Sequence, residues 1–104
     1  MDKRIVGSLG LCAKAGKLIF GVPMVVEAMQ KGKRVLLVLE SCDTSAGTHK
    51  RIGDKCAYYG VETVRLDCDG VALAHAVGKS SSLAAVAVTD EGFYRMIIKY
   101  FREE

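Results

Sequence analysis

The segment Gly21-Val22-Pro23-Met24 follows the apolar triplet Leu18-Ile19-Phe20 and leads into Val25-Val26-Glu27-Ala28-Met29. A strand that passes directly into a helix, with glycine at the joint and proline in the first turn, leaves backbone N–H groups unpaired at a positive helix end. Such an end suits phosphate. Gly21, Val22 and Pro23 are therefore candidate anion contacts, and Lys17 at the head of the strand adds a cation. A second candidate is the polar loop Gly78-Lys79-Ser80-Ser81-Ser82, which offers an ammonium group and a run of hydroxyls. Lys31, Lys33 and Arg34 cluster around Gly32 at the end of the second helix. They either contact phosphate or answer the negative end of the helix dipole, and the sequence leaves both open.

Other chemistries fit poorly. Gly78-Lys79-Ser80 has the tail of a nucleotide-binding P-loop, but that motif needs a glycine where Leu73 stands, and a strand before the loop rather than a helix. His49, beside Lys50 and Arg51, reads as part of a solvated basic helix face, and His75 sits between two alanines. No serine lies in a nucleophile-elbow context. Asp43, Asp67 and Asp69 follow strands, where ligands often bind in open α/β sheets, but acidic residues there also serve as helix caps. Cys12, Cys42, Cys56 and Cys68 are 30, 14 and 12 positions apart, without the paired spacing that zinc sites require. Cys12 and Cys56 fall at apolar helix positions and read as small buried hydrophobes, whereas Cys42 and Cys68 each follow a strand, and the sequence leaves open whether they meet. No metal and no cofactor is expected.

The elements that must position these residues alternate along the chain. Ile5, Leu9 and Cys12 recur at helical spacing over Asp2–Ala15, and Gly16 supplies a stop. Lys17–Phe20 is a short strand, and a helix then runs to about Lys31. Val35–Leu39 is continuously apolar, which suits a central strand buried on both faces. A helix over Ala46–Tyr59, capped by Thr44 or Ser45, is followed by a strand over Val61–Leu66 and a short helix over Val71–Val77. The strand Leu83–Val88 leads into a last helix, Glu91–Phe101, capped by Thr89 or Asp90, with Phe93, Ile97 and Phe101 on one stripe. Alternation of this kind predicts an α/β chain with its sheet between two helix layers.

At 104 residues, half of them hydrophobic and only one of them proline, the chain is expected to form one domain over its whole length, with a core that needs no disulfide or metal. No apolar run approaches the ~18 residues of a membrane span, and the N-terminal segment does not read as a signal peptide. A cytoplasmic location and no membrane partner are expected. Residues 1–52 carry nine Lys/Arg against four Asp/Glu, and residues 53–104 carry six against eight. A basic half suits a polyanion such as nucleic acid.

The order of elements and several local motifs resemble one known family. The residues that carry the likeness are Gly16–Gly21, Val25–Gly32, the strand Val35–Leu39, Asp54–Val61, Leu73–Lys79 and Ala85–Phe93. Across nearly the whole chain it resembles the ribosomal L-seven-Ae, L-thirty-e and S-twelve-e superfamily, in its small bacterial ribosome-associated branch. The resemblance implies a three-layer α/β/α sandwich with a four-stranded mixed sheet. It also implies a non-enzymatic RNA-binding protein of the ribosome or translation machinery, with structured RNA, ribosomal in origin, as partner and translation proteins as further partners. Members grip kink-turn RNA with the first strand, the start of the second helix and the loop before the last strand, here Lys17, Gly21 with the following turn, and Gly78–Leu83. They carry a G-x-N-E-x-x-K pattern, and alignment on Gly21 places Pro23 at the asparagine, Met24 at the glutamate and Glu27 at the lysine. A target other than a simple kink-turn is therefore expected. A second reading is a protein-interaction adaptor that has lost specific RNA binding and offers Val22, Pro23 and Met24 as an apolar contact patch.

Overall fold

A computed structural model describes residues 1–103. Its elements are α1 (Lys3–Lys14), β1 (Leu18–Phe20), α2 (Val22–Gln30), β2 (Leu37–Glu40), α3 (Ala46–Tyr59), β3 (Glu62–Arg65), α4 (Gly70–Ala76), β4 (Ala85–Val88) and α5 (Glu91–Arg102). The sheet order is β1-β4-β2-β3. β4 runs antiparallel to both neighbours, β1 and β2, while β2 and β3 are parallel, so the sheet is mixed as expected.

Side chains on a strand point alternately to its two faces. Leu37 and Leu39 with Val86 and Val88 face α1, α4 and α5, whose Ile5, Leu9, Leu73 and Ile97 complete one core. Val38 with Ala85 and Ala87 faces α2 and α3, through Val25, Val26, Met29 and Ile52. The two alanines let α2 pack closely on that face. Every residue of β2 and β4 is buried, which is why Leu37–Leu39 and Ala85–Val88 read as unbroken apolar runs, with Glu40 the one charged residue among them.

The boundaries differ from the sequence-based expectation where a backbone group has another partner. Leu36 donates to the carbonyl of Val88 at 2.9 Å, but the β2 ladder itself begins at Leu37. Leu83 donates to the carbonyl of Gly70 at 3.0 Å, which holds it to the start of α4 and delays β4 to Ala85. Lys17 lies outside β1, and Asp2 is the cap of α1 rather than its first residue. Ser45, Asp69 and Asp90 cap α3, α4 and α5. Among the described residues no helix is long and apolar enough to cross a membrane.

Cys12 and Cys56 are buried, as their apolar helix positions suggested, and the question left open for Cys42 and Cys68 is answered by the backbone. Cys42 is exposed, and its N–H donates to the carbonyl of Cys68 at 2.8 Å. Burial, then the charge of Asp90, pushes the Cys12 thiol up to about 11. Burial also raises Cys56 and Cys68. Since the thiolate is the reactive form, iodoacetamide at pH 8 is expected to modify Cys42 first and Cys68 more slowly. Cys12 and Cys56 should react only after denaturation. Peptide mass spectrometry against time checks this, and rapid native labelling of Cys12 would contradict the packing of α1.

Candidate functional site

Gly21 ends β1 and caps α2 with φ 84° and ψ 149°, a backbone conformation that favours glycine. Its N–H donates to the carbonyl of Ala85 at 2.9 Å, and its own carbonyl accepts from Val25 at 3.0 Å. α1, α3, α4 and α5 each begin with a side chain that accepts from the first turn. α2 has no capping side chain and no acidic residue in its first turn. Pro23 has no N–H, so the N–H groups of Val22 and Met24 stand at the positive end of α2 without a protein acceptor among the described residues. The side chain of Val22 is buried in the α2/α3 core, so only its backbone is available to a ligand, whereas Pro23 and Met24 are exposed.

The loop after α4 comes to the same place. Gly78, at φ 76°, turns the chain, with Lys79 donating to the carbonyl of Ala74 at 2.8 Å. This carries Lys79 over β1, where its Nζ lies 4.4 Å from the centre of the Phe20 ring. Such a cation–π contact at an exposed site contributes about 0.5–1 kcal/mol. Ser80, Ser81 and Ser82 are exposed. A concavity of about 360 Å³ lies between the α2 start, the loop and α3, bordered by Gly21, Pro23, Thr48, Arg51, Ser82 and Leu83. Another of about 360 Å³ lies beyond Phe20, bordered by Lys14, Gly78 and Lys79. The Phe20–Gly21 joint separates the two.

The structure divides the sequence-predicted site residues into two groups. Gly21, Val22, Pro23, Gly78, Lys79, Ser80, Ser81 and Ser82 gather where β1 and β2 end and β4 begins. Lys17, Lys31, Lys33 and Arg34 sit at the opposite end of the sheet. The Lys17 carbonyl accepts from the N–H of Thr89, just past the end of β4. Strand length sets this separation at roughly 10 Å. Lys31 is paired with Glu27 at 2.6 Å, and Arg34 is paired with Glu91. The expectation that Lys17 adds its charge at the Gly21 turn is thus corrected, and Lys31, Lys33 and Arg34, for which phosphate contact and the helix dipole were both open, stand at the negative end of α2. The chain crosses the sheet between them, and neighbours in sequence stand at opposite ends of one element.

Three participants were not expected from sequence. Thr48 and Arg51, one helical turn apart on α3, line the concavity at Gly21, and their i,i+3 spacing was the available signal. Glu40, the last residue of β2, is buried at 3% exposure. Both of its carboxylate oxygens lie within 3.0 Å of His49 Nδ1, the Thr44 hydroxyl donates to it, and Arg65 approaches to 4.0 Å. His49 is therefore an anchor that ties the first turns of α3 to the sheet, not part of a free basic face. Asp43 accepts from Ser41 and, at 3.0 Å, from the N–H of Gly70, which secures α4. No group of three or more His, Cys, Asp or Glu side chains converges as a metal site among the described residues.

Residues 3–98 match the sequence profile of the ribosomal protein L7Ae/L30e/S12e/Gadd45 family. The chain is 37% identical over 90 residues to an RNA-binding protein, YlxQ, of Bacillus subtilis (strain 168), covering 86% of this chain and 87% of that protein. It superposes with a TM-score of 0.87 on a solved protein of unknown function from Bacillus halodurans C, 32% identical, covering 98% and 100% of the two chains. A 15.5kD RNA binding protein from Giardia lamblia shares the fold at a TM-score of 0.78 and 15% identity, covering 92% and 80% of the two chains.

Two substitutions test how the site is held. A Cβ at Gly70 would meet the Ser82 hydroxyl and stand 2.8 Å from the Leu83 carbonyl oxygen, so Gly70→Ala is expected to cost about 1–3 kcal/mol. His49→Ala removes the partner of a buried carboxylate that keeps Thr44 and Arg65, and is expected to cost about 1–3 kcal/mol. Urea denaturation measures both. Unchanged midpoints would show that neither contact positions the loop or α3.

Proposed function

The chain belongs to the ribosomal protein L7Ae/L30e/S12e/Gadd45 family, and we propose that it is a non-enzymatic protein that binds structured ribosomal RNA in the cytoplasm. One observation carries this reading: the uncapped start of α2 faces the same concavity as Arg51 and the Ser82 end of the loop that carries Lys79. Free backbone donors, cations and hydroxyls on one concave face suit a bent phosphate backbone, and folded RNA is read largely by shape and backbone. The relative from Bacillus subtilis, named as RNA-binding, supports the same assignment. Proteins of the translation machinery are further proposed partners, and no membrane is involved.

The target is proposed to be something other than a simple kink-turn. The side chains of Pro23 and Met24 offer no hydrogen-bond donor to base edges, and Glu27, its carboxyl held below the usual range by the bond from Lys31, stays anionic. The adaptor reading is weakened by the burial of Val22, which takes one member out of the apolar patch. It keeps Pro23 and Met24, the latter 54% exposed.

The test is salt-titrated binding to ribosomal RNA fragments, a kink-turn RNA and a plain duplex of equal length. Lys79→Ala and Arg51→Ala are each expected to weaken binding to one fragment and to lower the salt dependence by about one phosphate contact. Lys33→Ala, at the far end of the sheet, should leave both nearly unchanged. Weak binding without preference that vanishes by physiological salt would overturn the proposal and favour the adaptor.

A further inference from the structure

A larger concavity adjoins this face along the outer side of α3. It has a volume of about 630 Å³ and is lined by Lys50, Arg51, Lys55, Tyr58 and Tyr59 with Gly47 at its head. Arg51, Lys55 and Tyr58 stand at i, i+4 and i+7 and form one stripe. Tyr58 is 81% exposed, more than Leu11, Met24, Val71 or Tyr59. Its ring and that of Tyr59 meet edge to face, with centroids 4.8 Å apart and planes at 82°. The contact fixes the aromatic pair while leaving Tyr58 almost wholly in water. Lys50 is paired at 2.7 Å with Asp54, the one carboxylate that lines the concavity among the described residues. Arg51 and Lys55 have no carboxylate within ion-pair distance among the described residues.

Cations interleaved with exposed aromatic rings are the composition that single-stranded nucleic acid requires, since phosphates need charge and bases need a flat apolar surface. A docking site for a protein helix would offer aliphatic side chains, and among the described residues none lines this concavity. Arg51 also borders the concavity at Gly21, so the stripe continues the face already described. We infer that the outer face of α3 holds a single-stranded RNA segment leaving the structured element, with Arg51 and Lys55 on phosphates and a base stacked on Tyr58. The inference rests on the proposed RNA-binding role and adds to it a strand that the α2 start alone does not reach.

The probes are a fluorescent oligouridylate and a structured ribosomal RNA fragment trimmed of single-stranded ends. Tyr58→Ala is expected to weaken oligouridylate binding by roughly five- to hundredfold, while Tyr58→Phe, which keeps the ring, binds like the parent protein. Lys55→Ala should weaken it several-fold and reduce its salt dependence by roughly 0.7 of a counterion. Both alanine variants should bind the trimmed fragment unchanged, and ultraviolet cross-linking should place uridine on α3. If the parent protein does not bind oligouridylate at low salt, or Tyr58→Ala binds it equally well, the α3 site does not exist. Tyr58-dependent binding of oligouridylate with no binding of any fragment would uphold the α3 site and overturn the structured-RNA reading.

Discussion

The carbonyls of Ala84 and Ala85, at the entrance to β4, accept from the N–H groups of Ser41 and Gly21, each at 2.9 Å. These two bonds bring the ends of β1 and β2 to one point, and the rest of the site is arranged around it. β4 is buried on both faces and bonded on both edges, so its register is tightly specified: a slip of one residue would exchange its valines and alanines between the two cores. With the register set, Gly21 must turn where it does, and α2 must start beside the loop that feeds β4. The Glu40–His49 contact, on the neighbouring strand, then fixes the first turns of α3, and with them Thr48 and Arg51.

Charge is divided by local pairing rather than by sequence. The pairs Lys31–Glu27, Arg34–Glu91 and Lys50–Asp54 are exposed, and each contributes only about 0–1 kcal/mol to stability. Their consequence is for the surface field. Among the described residues, Lys79, Arg51 and Lys55 have no ion-pair partner near the α2 start and along α3, and Lys17 and Lys33 have none at the far end. What separates the two ends is the company of the cations. The near end combines them with helix N–H groups that are unpaired among the described residues and with a concavity, which lets an anion be gripped by direction as well as by charge.

The architecture was readable because the core positions obey simple periods. Ile5, Leu9 and Cys12 mark the buried side of α1, and the unbroken run at Leu37–Leu39 marks a strand covered on both faces. Gly21 and Pro23 marked the start of α2 through backbone restrictions that belong to those residue types. The site was only partly readable. Periodicity says which face of an element is buried but not which end of the sheet a terminus reaches, so Lys17 was grouped with a turn that lies across the sheet, and the role of the Lys31–Arg34 cluster stayed open. Glu40 lies just past the apolar run Val35–Leu39, and nothing local shows that a carboxylate there will meet a histidine nine residues on. His49 was assigned to a solvated face for the same reason, and half of its side chain is indeed in solvent.

Pro23, Met24 and Glu27 set what kind of recognition this face can perform. Each well-formed hydrogen-bonded contact to a base edge is worth roughly 1–3 kcal/mol of discrimination, and residues 23 and 24 can form none through their side chains. Glu27 is held by Lys31, so it neither repels phosphate at full strength nor reads a base. What remains is backbone N–H groups, hydroxyls and cations, which position a ligand without reading its sequence. On the proposed reading, selectivity must therefore come from shape: a backbone bent enough to meet Gly21, Ser82 and Arg51 together is bound, and a straight duplex is not. Affinity built in this way is strongly salt-dependent, and a stacked base on Tyr58 would be its least salt-sensitive component, because stacking releases no counterions.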